Sequence, residues 1–115
     1  DIALKIEERG PFVISMNETL AVVLITNLIK NAFVHNHEHG TISIYIDDVS
    51  LKVGNTGEKK PLDNSKIFQR FYQGRKKEGS TGLGLALVSS ICRLFKLNIH
   101  YSYIQNEHLF TLTRL

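Results

Sequence analysis

The 115-residue chain has no tryptophan, one methionine (Met16), one cysteine (Cys92) and two prolines (Pro11 and Pro61). A single thiol excludes a disulfide framework and a cysteine-rich metal site, and fits a reducing compartment. So few prolines, with eight glycines, exclude collagen-like and proline-rich disordered classes. No apolar run approaches the roughly 18 residues a membrane-crossing helix needs. The first eight residues, Asp1 to Glu8, alternate as a strand does and lack the form of a signal peptide. They also lack a starting methionine, so the chain reads as an excised piece of something longer. Fourteen basic against eleven acidic residues leave a net charge of +3, too small an excess to argue for a nucleic-acid binder. What is present is the balance of one globular domain, 43% hydrophobic and 22% charged, long enough to bury its own core.

Residues 2–8 and 12–15 read as two strands joined by a turn at Arg9-Gly10-Pro11. Ser15-Met16-Asn17-Glu18 has the form of a capping box, and a helix from about Glu18 to His35 follows. That helix is apolar on most sides and is expected to be mostly buried. Residues 41–47 and 51–53 alternate around Asp47-Asp48 as a hairpin would. Residues 54–66 read as loop, 67–72 as a short aromatic turn, and 73–81 as a basic, glycine-flanked loop. A second helix is expected from about Gly82 to Phe95, then strands over 98–104 and 107–114 with a turn near Asn106. The pattern predicts an α+β sandwich, a mostly antiparallel sheet with helices on one face. The loop region from 54 to 81 far exceeds the usual length for a compact domain, which marks it as functional or disordered.

Four groups of residues in this frame carry chemistry. Asn27, Asn31 and His35 fall at i, i+4 and i+8, a polar stripe on an otherwise apolar helix. Buried amides need partners, and these could bond to a neighbouring loop or offer carbonyl oxygens to a hard cation such as Mg²⁺. Gly82-Leu83-Gly84-Leu85, preceded by Gly79-Ser80-Thr81, opens a helix whose first N–H groups suit phosphate. It is neither a P-loop, which needs Gly-Lys-Ser/Thr, nor a dinucleotide fingerprint, which needs a strand just before it. Asn55-Thr56-Gly57 ends a strand in a turn. Arg70, Arg75, Lys76 and Lys77 form a local basic cluster suited to an anionic partner, or simply a solvated loop.

In order and spacing these motifs resemble the catalytic, ATP-binding domain of two-component sensor histidine kinases, members of the Bergerat-fold superfamily. Asn27-Leu28-Ile29-Lys30-Asn31-Ala32 looks like the N box, Asn55-Thr56-Gly57 like the G1 box, Phe68 to Phe71 like the F box, and Gly79 to Leu85 like the G2 box. The resemblance spans essentially residues 1–115 as a single domain. It implies a mixed sheet covered on one face by helices, with ATP held between two helices under a lid. It places Asn31 and Asn27 at Mg²⁺ and the phosphates, with His35 helping to order the site. It places Asn55 at the adenine amino group and Gly57 where the backbone approaches the base. Arg70, Arg75, Lys76 and Lys77 would approach the phosphates, and Ser80, Thr81, Gly82, Leu83, Gly84 and Leu85 would close the nucleotide site.

The chain departs from the family pattern in three places. Asn55 stands where an aspartate is usual, Glu58-Lys59 replaces a second glycine, and Val34 replaces a cation. These predict weaker or more lid-dependent ATP binding. The family's phosphoacceptor histidine lies on a separate helical dimerisation domain, which these residues do not contain. His35, His37, His39, His100 and His108 are poor substitutes for it. The implied function is therefore to bind Mg-ATP and donate the γ-phosphoryl to a histidine of that partner domain, with a response regulator downstream. No nucleic acid and no direct membrane contact is expected. The implied location is cytoplasmic, in a parent that is a bacterial inner-membrane receptor. Rival readings are a degenerate, nucleotide-free interaction domain and a serine kinase of the anti-sigma-factor type. Outside the site, the His35–His39 run reads as a solvated helix end, Cys92 as a core residue, and Tyr45, Tyr101 and Tyr103 as sheet-face packing.

Overall fold

A computed structural model describes residues 1–72 and 82–115. Its elements are β1 (Ala3–Glu8), α1 (Glu18–Val34), β2 (Thr41–Ile46), β3 (Ser50–Asn55), α2 (Gly84–Leu94), β4 (Leu97–Ile104) and β5 (Glu107–Arg114). The five strands form one sheet in the order β1-β2-β3-β5-β4. β1 runs parallel to β2, and the other three neighbouring pairs are antiparallel. A parallel pair needs a crossover, and α1 supplies it.

The strand register sorts the side chains into two faces. Ile44, Val53, Phe110 and Tyr101 sit side by side across four strands, and Ile46, Leu51, Leu112 and Ile99 form the next row. These rows meet Leu24, Leu28 and Ala32 of α1 and Val88, Ile91 and Cys92 of α2 in one core. The opposite face carries Tyr45, Lys52, Thr111 and His100. One row on the helix-covered face breaks the apolar rule: Ile42, Asn55, His108 and Tyr103.

Two hairpins follow from local chemistry. At the β2–β3 turn, the Asp47 carboxylate accepts from the Val49 and Ser50 amides at 2.9 and 2.8 Å. At the β4–β5 turn, Gln105 and Asn106 both have positive φ, 52° and 64°. That pairing of left-handed residues suits a two-residue turn between twisted strands.

The structure corrects four expectations. Residues 12–15 form no strand. Their alternation is real, with Phe12, Ile14 and Met16 packed on the core, but β1 takes β2 as its partner. The segment instead runs to the start of α1, where Arg114 donates to the Val13 carbonyl at 3.0 Å and lies over the Phe12 ring. The helix cap is Asn17 rather than Ser15, its side chain accepting from the Leu20 amide at 3.1 Å. The helix α1 is also less enclosed than expected: Val22, Ile25 and Phe33 are exposed, because the sheet and α2 cover only part of its circumference. The second helix begins at Gly84, two residues later than predicted.

Two measurements check this packing. Burial pushes the Cys92 thiol up to about 11, so alkylation at pH 8 should be slow in the folded chain and fast in denaturant. The Asp47 carboxyl is held below its ordinary 3.8, first by the Val49 amide and then by the Ser50 amide. A lowered folded value means stability that is present at neutral pH and lost as pH falls through the carboxylate range. Asp47→Ala should therefore lower the thermal midpoint at pH 7, and the gap to the parent should close on acidification.

Candidate functional site

The site is built at the end of the helix-covered face where the polar row lies. Asn55, the last residue of β3, is 2% exposed. Its amide nitrogen donates to the Thr56 carbonyl at 2.8 Å, which fixes the orientation of the carboxamide, since a flipped amide would set oxygen against oxygen. Its Oδ1 is then left with no partner among the described residues, the one such buried side-chain atom there. An unanswered buried acceptor costs about 1–3 kcal/mol, a cost that a ligand N–H would remove.

Gly57 follows, packed beneath the end of α1. A Cβ there would lie 2.5 Å from the His35 carbonyl oxygen, so only glycine allows this approach. His35 is the residue that closes α1, its N–H donating to the Asn31 carbonyl at 3.1 Å, while the next N–H, of Asn36, donates to the Phe33 carbonyl at 3.3 Å. The structure therefore brings His35 of the N-box stripe against Gly57 of the turn.

One residue in this junction was missed by sequence reasoning. Asn36 is 7% exposed. Its Oδ1 accepts from the Thr56 hydroxyl at 2.6 Å and the His37 amide at 2.9 Å, while its amide nitrogen donates to the Thr41 carbonyl at 3.0 Å. The Thr56 hydroxyl oxygen in turn accepts from the Thr41 amide at 2.8 Å. Asn36 thus ties the end of α1 to β2 and to the turn carrying Asn55. The residue reads locally as part of a polar helix end. Only the long-range pairing with Thr56 reveals it, and no spacing rule announces that.

On the opposite side of the stripe, Asn27 faces α2. Its amide nitrogen donates to the Val23 carbonyl of its own helix at 2.8 Å. Its Oδ1 lies 3.1 Å from where a Cβ on Gly84 would stand. Asn31 is half-buried one turn further along α1. α2 starts at Gly84, and Leu83 at its N-cap has no side-chain oxygen to cap the first N–H groups. Leu85 packs partly buried against the core. Gly82 has φ +74° and accepts from the Phe71 amide at 2.6 Å, so residues 71 and 82 are held together. Phe68 packs edge-on against Phe110, with ring centroids 6.2 Å apart. Arg70 is exposed, its guanidinium 5.4 Å from the Phe71 ring centroid, and Phe71 itself is 66% exposed. Arg75, Lys76, Lys77, Ser80 and Thr81 lie outside the described residues.

The arrangement defines a class before it defines a family. It is a two-layer α+β domain with two helices on one face of a mixed sheet, and with Asn27 of α1 set against the start of α2. Residues 16–113 match the histidine kinase-, DNA gyrase B- and HSP90-like ATPase family, and the chain belongs to it. It is 30% identical over 102 residues to the heme sensor protein HssS of Staphylococcus aureus, a match covering 84% of this chain and 22% of that protein. The chain thus spans about a fifth of the length of the curated relatives it matches. Among solved structures it superposes on the mycobacterial sensor histidine kinase MprB with a TM-score of 0.82 at 18% identity, covering 98% of this chain and 84% of that one. It superposes on the catalytic domain of histidine kinase ThkA with a TM-score of 0.71 at 27% identity, covering 96% of this chain and 78% of that one. The matched part of these relatives is the catalytic ATPase domain of sensor histidine kinases. Among the described residues no helix is long and apolar enough to cross a membrane.

The contact between Gly57 and the helix end gives a direct test. Gly57→Ala forces a methyl into the His35 carbonyl and should destabilise the fold by about 1–3 kcal/mol, read from urea unfolding with an unchanged m-value. Stability equal to the parent would place Gly57 away from that carbonyl.

Proposed function

We propose that this chain binds Mg-ATP and presents its γ-phosphoryl group to a histidine on a separate helical dimerisation domain, in two-component signalling. The observation that carries the reading is the buried, unanswered Oδ1 of Asn55, an acceptor in place for the exocyclic amino group of adenine. Gly57 then lets the backbone lie against the base. Asn27 and Asn31 hold the phosphate end, their amide oxygens being of the kind Mg²⁺ accepts. Mg²⁺, when bound, neutralises charge on the β- and γ-phosphoryl oxygens. The start of α2, where Leu83 supplies no side-chain cap, adds N–H groups that favour anions. Arg70 and the cations Arg75, Lys76 and Lys77 supply the positive charge that Val34 does not. Ser80, Thr81 and Gly82 to Leu85 complete the enclosure.

The chain's part in transfer is positioning. The acceptor imidazole attacks in line, the bond to the β,γ-bridging oxygen breaks, and the leaving group is ADP. The nucleophile belongs to the partner domain, and a response regulator takes the phosphoryl group afterwards. The reading places the domain on the cytoplasmic side of a bacterial receptor, where ATP is available.

Calorimetric titration with a non-hydrolysable ATP analogue, with and without Mg²⁺, tests this. Saturable, Mg²⁺-dependent binding is expected. Asn31→Ala should abolish it, and Asn55→Asp should tighten it by restoring a charge-assisted bond to the amino group. Absence of binding at millimolar analogue by the folded chain would favour a nucleotide-free interaction domain instead.

A further inference from the structure

The segment leaving Gly57 has an unusual attachment. Residues 57–62 make no backbone–backbone hydrogen bond among the described residues, and Pro61 has no N–H to offer. Backbone polar groups near a core need partners. Two side chains of the sheet provide them. The Leu62 amide donates to the Tyr101 hydroxyl at 2.9 Å. The Tyr101 hydroxyl lies 2.7 Å from His108 Nδ1, and His108 Nε2 lies 2.7 Å from the Glu58 carbonyl oxygen.

The direction of each bond follows from what each group can do. A carbonyl oxygen only accepts, so His108 carries its proton on Nε2 and donates to Glu58. In the neutral imidazole Nδ1 is then a lone pair and accepts from the Tyr101 hydroxyl. That hydroxyl oxygen accepts in turn from Leu62. Every hydrogen in the chain has one place, and such chains polarise one another. Burial pushes the Tyr101 phenol above its usual range, which keeps the hydroxyl a donor.

Both side chains are locked. Tyr101 is 2% exposed and His108 4%. Their rings stack at 6.0 Å, Tyr103 lies 4.6 Å from His108, and Phe110 lies 5.2 Å from Tyr101. His108 is also the register partner of Asn55, and its Cδ2 would sit 3.5 Å from a Cβ on Gly57. The pair therefore stands beside Asn55 in the sheet register and bonds to both ends of residues 58–62.

We propose that Tyr101 and His108 are positioning residues for the base end of the nucleotide site, holding the Glu58–Leu62 rim in register with Asn55 and Gly57. The inference rests on the nucleotide-binding reading above. It explains how the turn tolerates Glu58 and Lys59, since the backbone is held by side chains behind it and needs no glycine flexibility. Tyr101 is thus more than the sheet-face packing expected from its alternation.

Tyr101→Phe keeps the ring and removes both hydroxyl bonds. Titrating parent and variant with ADP and with adenosine, each well below its thermal midpoint, separates the outcomes. The proposal expects both ligands to weaken by the same factor, about three- to tenfold, the size of a lost hydrogen bond. A role confined to stability would lower the thermal midpoint and leave both affinities unchanged, which overturns the proposal. A parent that binds neither ligand overturns the nucleotide reading itself. Should Tyr101→Phe fail to fold, His108→Gln retains a donor for Glu58 and should weaken both ligands to a smaller, equal degree; unchanged affinities there count against the pair. The ¹⁵N shifts of His108 in the parent give an independent reading. The Nε2–H tautomer is expected, and the Nδ1–H tautomer would overturn the bond order.

Discussion

A carboxamide buried at the end of a central strand, its nitrogen fixed by the next carbonyl and its oxygen unanswered, is the constraint on which the site depends. Asn55 cannot rotate to relieve its oxygen without setting it against the Thr56 carbonyl. The surrounding structure holds it in that position from two sides. Asn36 grips Thr56 from the end of α1, and the Tyr101–His108 pair holds the following residues from β4 and β5. A buried group left short by about 1–3 kcal/mol persists only where the fold over-determines it, and such places cluster at binding sites.

The fold supplies the rest by simple means. α1 is the crossover that lets β1 and β2 run parallel, and its end meets the turn after β3. One side of the same helix buries Leu24, Leu28 and Ala32, and another presents Asn27 toward the start of α2. Core packing and the proposed nucleotide site therefore share one helix.

Much of the architecture was legible in residue patterning. The period-2 runs located β1 to β5, and the i, i+4, i+8 spacing put Asn27, Asn31 and His35 on one stripe. The failures have physical causes. The alternation of Phe12, Ile14 and Met16 records which side of an extended segment touches the core, and that is independent of strand pairing. The apolar surface of α1 exceeds what the sheet can cover, so Val22, Ile25 and Phe33 stay exposed. Asn36, Tyr101 and His108 were illegible as site components because their partners lie 20, 39 and 50 residues away. Spacing rules describe neighbours on one helix or strand, and these contacts join several. The basic residues at 75–77 and the hydroxyls of Ser80 and Thr81 lie outside the described residues, so their roles rest on the motif.

In the proposed function Asn55 Oδ1 accepts from a purine 6-amino group. The most direct measurement is the side-chain amide resonance of Asn55 in ¹⁵N-labelled protein, titrated in parallel with ADP and with inosine diphosphate, whose 6-oxo group offers an acceptor in that place. ADP should saturate the site and shift the Asn55 amide, while inosine diphosphate at the same concentrations should leave it unmoved. Equal binding of the two, with equal shifts at Asn55, would contradict it.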